Sequence, residues 1–391
     1  FSKFSVVTGR QRLAKDPNNV FTLREGELLV SGVEPGFLIT RQSFTNYRLT
    51  AEYRWDTDAP DRDSGIFVNT VESDNEYTSL ECNLLGPGKG QSGQLQLFGR
   101  GRKQLIVSGQ TKKQGAVLSQ QPKSAEKPVG QWNTMEVVND LGQFEIKVNG
   151  KLTIAGLAPQ PSAGSIMLQS NRGAIRFRNV KVVDYDAATA NALELVRKGQ
   201  LSDAARLIDD FLKKEPPAFG SMRGLRLAAL YAATGNREAH ELYCQTFFEK
   251  FASPRYLHDV SRTAKAYALF PGAQDPKLLA RALAASKHST DAAPQSIWFS
   301  VTRGMVEYRL GNYENVVRWL TKPARTGNKM ALTPALAFAA MAEFRLGRPQ
   351  RARQLLNKAE TVLGQIGANH ESWHDAISAK LAVDEAKALI K

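Results

Sequence analysis

SLECNLLGPGKGQSGQLQLFG, residues 79–99, alternates at its start, turns in its middle and becomes apolar again at its end. Read with period two, Leu80, Cys82 and Leu84 fall on one face, and Ser79, Glu81 and Asn83 on the other. That is the pattern of a half-buried strand whose second face carries a carboxylate and an amide. The glycines and Pro87 between Gly86 and Gly93 mark a tight connection to a second strand through Leu95 and Leu97. A phosphate-cradling glycine loop is the other reading of Gly86-Pro-Gly-Lys-Gly90. That loop requires a helix after it, and no helical period follows.

The same pattern extends to both sides. Phe21 to Val30 reads as two short strands around a turn at Glu25-Gly26, and Phe37 to Thr40 as another. Arg48 to Trp55 alternates without a break: Leu49, Ala51, Tyr53 and Trp55 against Arg48, Thr50, Glu52 and Arg54. Ile66 to Asn69 reads as a short strand. Gln110 to Lys127 is polar and lysine-rich and reads as a loop. Strands resume at Asn133–Val138 and Phe144–Val148, and Asn149-Gly150 predicts a hairpin, because both residues accept the positive φ of a type I′ turn. Ile166–Gln169 and Ile175–Val183 complete a set of short strands without helical period, which predicts a β-sandwich or jelly roll.

At about Tyr185 the composition shifts to Ala, Leu, Arg and Glu with a 3.6-residue period. Gly199 and Gly235 recur in similar frames, as do Gly311 and Gly347, and the small residues Ala192, Ala228, Gly304 and Ala340 stand seven positions before them. This resembles the tetratricopeptide repeat, in which small residues let paired helices approach and Gly turns the chain between them. About five or six helix pairs are expected, least regular between Pro254 and Pro294. Such an array presents a surface for a protein partner; packing or spacing alone is the other reading.

Composition narrows the function classes. The 391 residues are 42% hydrophobic and carry a formal net charge of +14. No apolar run is long enough for a transmembrane helix. The basic residues are dispersed, densest at Arg100 to Lys103 and Lys112-Lys113, which disfavours nucleic acid as a partner. Cys82 and Cys244 lie in different halves and form no disulfide framework. All five histidines lie in the second half, so proton transfer in the first half falls to carboxylates, Lys, Tyr or water. The chain begins at Phe1 rather than Met, which is expected of a processed or excised chain.

The serial order of Glu27 to Gly32, Gly36 to Thr40, Asp63 to Phe67, Leu80 to Leu84, Pro128 to Asn133, Val148 to Gly150, Gly164 to Ser170 and Phe177 to Val180 is similar to the 3-keto-disaccharide hydrolase family, over roughly residues 15–183. The resemblance implies a concanavalin- or laminin-G-like sandwich over residues 1–184, followed by the tetratricopeptide-like solenoid over 185–391. It also implies a glycoside ligand, cleavage of 3-keto-glycosides, and a periplasmic or extracellular location. In that chemistry a base removes the C2 proton acidified by a C3 ketone, an enolate forms, and the aglycone leaves C1.

Mapped onto this chain, the resemblance makes Glu81 the base and Arg54 the oxyanion partner. Asn83, Gln94 and Gln169 become hydrogen-bonding groups, and Trp132 a sugar platform. No cofactor is firmly implied, and a divalent metal is compatible with the chemistry. Each residue also has a plain reading: Glu81 and Arg54 as a cross-strand ion pair, Trp132 as a packing aromatic. Asn83, Gln94-Leu-Gln96 and Asn171-Arg172 depart from the family wording, which keeps a second function in view, a non-catalytic glycan-binding or adaptor module.

His370-Glu-Ser-Trp-His374 matches the H-E-x-x-H zinc motif. It stands at the start of the last helical segment, with seventeen residues after it, and reads as a chance match.

Overall fold

A computed structural model describes residues 3–8, 11–13, 16, 18–73, 76–89, 91–99, 105–107, 110–112, 117–118, 125–157, 160–218, 220–251, 257–273, 275–366 and 372–391. Its contacts divide the chain into two compact units, Phe1–Ala188 and Thr189–Lys391. The first unit contains β1 (Phe4–Thr8), β2 (Gln11–Leu13), β3 (Phe21–Arg24), β4 (Glu27–Val30), β5 (Gly36–Thr40), β6 (Tyr47–Trp55), β7 (Asp63–Ser73), β8 (Glu76–Leu85) and β9 (Leu95–Phe98). It continues through β10 (Leu105–Val107), β11 (Gln110–Lys112), β12 (Val117–Leu118), β13 (Asn133–Asp140), β14 (Gln143–Val148), β15 (Lys151–Leu157), β16 (Ser165–Ser170) and β17 (Ile175–Asp184).

Among the described residues these strands form two antiparallel sheets. One has eight strands in the order β12-β9-β8-β7-β16-β5-β1-β2, the other nine in the order β11-β10-β15-β14-β13-β6-β17-β4-β3. The alternation of β6 decides how they pack. Tyr47, Leu49, Ala51, Tyr53 and Trp55 are buried and meet Leu80, Cys82 and Leu84 of β8 in one core between the sheets. Burial of one face per strand drives the sandwich together at ~25 cal/mol per Å² of apolar surface. The Asn149-Gly150 hairpin joins β14 to β15 with φ of 49° and 75°, as the type I′ reading requires. β7 is longer than expected, because a bulge after Val68 lets pairing with β8 resume at Val71. Short strands β11 and β12 lie within the stretch expected to be a loop. Arg100 to Lys103 and Lys113 fall outside the described residues.

The second unit contains paired helices. α1 (Tyr185–Arg197) and α2 (Leu201–Lys214) are followed by α3 (Ser221–Ala233) and α4 (Arg237–Lys250), then α5 (Leu257–Ala268) and α6 (Pro276–Ala292). The series ends with α7 (Ile297–Arg309) and α8 (Tyr313–Leu320), α9 (Lys329–Arg345) and α10 (Pro349–Leu363), and α11 (Trp373–Leu389). Gly199, Gly235, Gly311 and Gly347 turn four of the pairs, with φ between 68° and 78°, a conformation costly for any residue with a Cβ. A Cβ on Gly304 would stand 2.4 Å from a Leu320 methyl. That is why a small residue is needed where the helices of a pair approach. The chain is therefore an all-β sandwich followed by a tetratricopeptide-like helical array. No helix among the described residues is long and apolar enough to cross a membrane.

Candidate functional site

β8 places Leu80, Cys82 and Leu84 in the core, so Glu81 and Asn83 face away from it, on the outer face of the eight-stranded sheet. Register builds rows across that face. Glu81 stands opposite Gln96 of β9 and Phe67 of β7, Phe67 opposite Met167 of β16, and Met167 opposite Ile39 of β5. One row further, Asn83 faces Gly65, and Gln169 faces Phe37. Phe67, Met167, Ile39 and Val7 form a second apolar cluster on this face, with Phe37, Tyr77 and Phe98 packed on it. The Phe67 ring centroid lies 5.2 Å from that of Phe37 and 5.1 Å from that of Phe98, both edge to face, a stabilising geometry. This sheet thus carries an apolar cluster on each face.

Glu81 sits in that apolar surround at 6% exposure, with no hydrogen bond or ion pair to another described residue. Burial, and secondarily the Asp63 charge, push its carboxyl up to about 8. Gly65 makes the space. A Cβ there would stand 3.0 Å from Glu81 Oε1 and 3.1 Å from the Phe67 ring. Asn83 is 2% exposed, and its Nδ2 has no partner among the described residues; the same holds for Gln169 Oε1. Buried polar atoms without partners are uncommon, and each calls for an explanation such as a water, an ion or a catalytic role. Gln94 precedes β9 in the alternation that turns Gln96 outward, and its carbonyl accepts from the Asn83 N–H at 2.9 Å. Beside Ile39, a cleft of about 410 Å³ opens, lined also by Thr40, Arg41, Thr70, Glu72 and Ser165.

Arg54 and Trp132 are elsewhere. β6 belongs to the nine-stranded sheet, and Arg54 projects from the outer face of that sheet, across the core from Glu81. There it lies 3.9 Å from Glu27 and 3.5 Å from Asp56, and its guanidinium is 4.9 Å from the Trp132 ring centroid. Arg178 covers the same ring at 4.0 Å. The structure gathers Glu81, Asn83, Gln94 and Gln169 on one face, and Arg54 with Trp132 on another. No Glu81–Arg54 ion pair forms.

The residues that sequence reasoning missed are Phe37, Phe67, Tyr77, Phe98 and Asp63. The signal was present in Ile66-Phe-Val68 and Phe37-Leu-Ile39, unbroken apolar runs of the kind a strand covered on both faces requires. Among the described residues no three His, Cys, Asp or Glu side chains gather as a metal site. His374 is buried on α11, while His370 and Glu371 of the H-E-x-x-H match lie outside the described residues.

Residues 6–183 match the 3-keto-alpha-glucoside-1,2-lyase-like domain, a match that begins about ten residues earlier than the sequence resemblance. No curated protein matches the chain. Among solved structures, a provisionally assigned glycosyl hydrolase of Parabacteroides distasonis ATCC 8503 is 18% identical, covering 48% of this chain and 90% of that one, with a TM-score of 0.34. The carbohydrate-binding module CBM66 from Bacillus subtilis is 10% identical over 41% of this chain and 89% of its own, with a TM-score of 0.31. The tetratricopeptide protein TTC0263 of Thermus thermophilus is 21% identical over 53% of this chain and 99% of its own, with a TM-score of 0.37.

Proposed function

We propose that the sandwich, matching as it does the 3-keto-alpha-glucoside-1,2-lyase-like domain, binds a glycoside on the outer face of its eight-stranded sheet and cleaves a 3-keto-glycoside there, with Glu81 moving the proton. The observation that carries the reading is Glu81 itself: a carboxyl buried without a partner among the described residues and raised to about 8. Structural carboxylates are normally paired or solvated. One held apart with its proton affinity near neutrality suits proton transfer at carbon.

In this reading the Glu81 carboxylate takes the C2 proton of the keto sugar, and the electron pair moves onto the C3 oxygen. Asn83 Nδ2 donates to that oxygen, in the place expected for Arg54. As the C1–O bond breaks, the electron pair leaves with the aglycone, which takes up a proton from Glu81 or water. Gln94 and Gln169 hydrogen-bond sugar hydroxyls, and the Phe37–Phe67–Phe98 cluster supports the sugar from below. Arg54 and Trp132 have no part in the chemistry.

Release of aglycone from a 3-keto-glucoside by the purified protein tests this reading. Glu81→Gln is expected to lower turnover by about 10²–10⁴-fold, the usual contribution of a general base. Absence of release by the parent chain, or equal release by the variant, would overturn it.

One observation favours a second reading, a non-catalytic glycan-binding module. With its carboxyl raised to about 8, Glu81 is mostly protonated at pH 7, and donates a hydrogen bond rather than accepting a proton. Calorimetric glycan binding with no turnover from pH 6 to pH 9 would select that reading.

A further inference from the structure

α11 does not sit where the next helix of a stack would sit. Helices α3, α5, α7 and α9 pack side by side in succession and form one continuous face. A helix added after α10 would reach only the last pair. α11 packs on α9 and α10 but also on α3, three pairs earlier, so it lies across the whole face.

Polar contacts follow the same order along it. Trp373, at its first position, lies under the Arg226 guanidinium of α3 at 5.7 Å. Asp375 accepts from Lys265 Nζ of α5 at 2.7 Å. Nearly three turns further on, Glu385 receives a bidentate pair from Arg309 of α7, the longer bond 2.8 Å. The Lys265 and Arg309 side chains are only 7% and 3% exposed, and Asp375 and Glu385 are 14% and 17% exposed. Lys265 Nζ also lies 5.2 Å from the Trp298 ring centroid, and Arg309 donates to the Ala268 carbonyl at 3.0 Å. Each cation is thus also held by the neighbouring face helix, Lys265 of α5 by α7 and Arg309 of α7 by α5.

Buried ion pairs contribute little net stability, because desolvation cancels most of the attraction, but they fix orientation and register. Three basic side chains from three successive helices, matched in order to an aromatic and two carboxylates on one helix, form a recognition pattern. Within the α7–α8 pair Gly304 lies against Leu320, and between successive face helices Ser221 donates to Asp259 and Ser261 to Thr302; the full cation–carboxylate pairs at Lys265 and Arg309 are made with α11. Nine residues, 364–372, separate α10 from α11 in the sequence.

We propose that the α3–α5–α7 face is a binding groove for a helix carrying an aromatic residue followed by two carboxylates, and that α11 is its resident occupant, exchanged for a partner protein's helix of the same pattern. The groove supplies Arg226, Lys265 and Arg309; the incoming helix supplies what Trp373, Asp375 and Glu385 supply in cis. This is recognition by helix-in-groove docking, with the chain's own last helix holding the site closed.

Two measurements on the full chain test this. In hydrogen exchange of the unaltered protein, α11 amides should open locally and exchange at least about tenfold faster than those of α9. Equal protection of the two helices would make α11 an integral part of the stack and end the proposal, whatever the variants do. In the second, a fluorescein-labelled peptide of residues 372–391 is titrated with the parent and with the Asp375→Lys/Glu385→Lys variant. The variant, with its own helix loosened, should bind the peptide at least about tenfold more tightly than the parent, and a further Arg309→Glu should abolish that binding. Absence of binding to both proteins, equal binding by both, or binding indifferent to Arg309→Glu would each overturn it.

Discussion

The two outer faces of the sandwich carry charged residues in opposite ways. On the nine-stranded sheet, Arg54, Arg176 and Arg178 interleave with Glu27, Glu52 and Asp56, and each lies within 3.9 Å of an opposite charge. Trp132 lies against two of the guanidiniums. On the eight-stranded sheet, Glu81 is surrounded by phenylalanines and amides and has no cation against it among the described residues. The first face pairs its charges with one another, although Arg54 Nε makes no hydrogen bond among the described residues. The second carries a carboxyl, an amide N–H and an amide oxygen that are unmatched among the described residues. Where a fold leaves buried polar groups unmatched beside others that it pairs, the unmatched groups are the ones to test for function.

The largest effect should come from removing the apolar surround that makes Glu81 unusual. Phe67 is fully buried in the outer cluster, and Phe67→Ala should cost about 3–5 kcal/mol in a urea unfolding experiment. It should also rehydrate Glu81 and bring its carboxyl down toward the ordinary range. Full stability of that variant would mean that the cluster is only a surface covering, and the contrast between the faces would weaken.

Glu81→Gln should change stability in a pH-dependent way. Because the folded state holds the Glu81 proton up to about pH 8 and the unfolded chain releases it near pH 4–5, the unfolded state binds fewer protons between those values. Stability of the parent therefore falls as pH rises through that window. The variant lacks this loss, and above pH 8 it should be more stable than the parent by on the order of a few kcal/mol. Parallel curves for the two proteins from pH 5 to pH 9 would show that Glu81 is ordinarily ionised.

Gly65→Ala probes the same carboxyl by crowding. Its Cβ would stand 3.0–3.1 Å from Glu81 and Phe67, tight enough to cost roughly 1–3 kcal/mol and to displace the carboxyl from Asn83's row. Turnover or glycan binding should fall more than stability does. Loss of stability with function intact would remove Glu81 from the site.

The fold was legible because period-two alternation and turn residues are local signals. Arg48 to Trp55 names its own buried face, and Asn149-Gly150 its own turn. The repeat glycines likewise mark four of the helix-pair turns. The site was legible only in part. Alternation says which face of its own strand Arg54 occupies, not which sheet that strand joins. The sheet order places β7 between β8 and β16, and β6 between β13 and β17; apart from β7–β8, these pairings join strands far apart in the chain. Glu81, Asn83 and Gln94 come from one hairpin and were found together. Trp132 and Arg54 also lie together, on the other side of the core from Glu81. Phe67 was passed over because an apolar residue between two others reads as more core.

The smallest effect belongs to the paired face, and its smallness is what the contrast requires. Arg178 donates to Glu52 at 2.7 Å, and Asn179 donates to the same carboxylate at 2.8 Å, so by geometry this is a short, charge-assisted pair. The Asn179 and Arg178 bonds hold the Glu52 carboxyl below its ordinary value. Yet the Arg178 side chain is 37% exposed, and water and salt screen such a pair to about 0–1 kcal/mol. A double-mutant cycle of Arg178→Met and Glu52→Gln should return a coupling energy in that range, shrinking in 0.5 M salt, with no change in turnover or glycan binding. A coupling of several kcal/mol, or a loss of ligand binding with stability preserved, would mean that this network is also poised for a ligand. The two faces would then differ in degree rather than in kind.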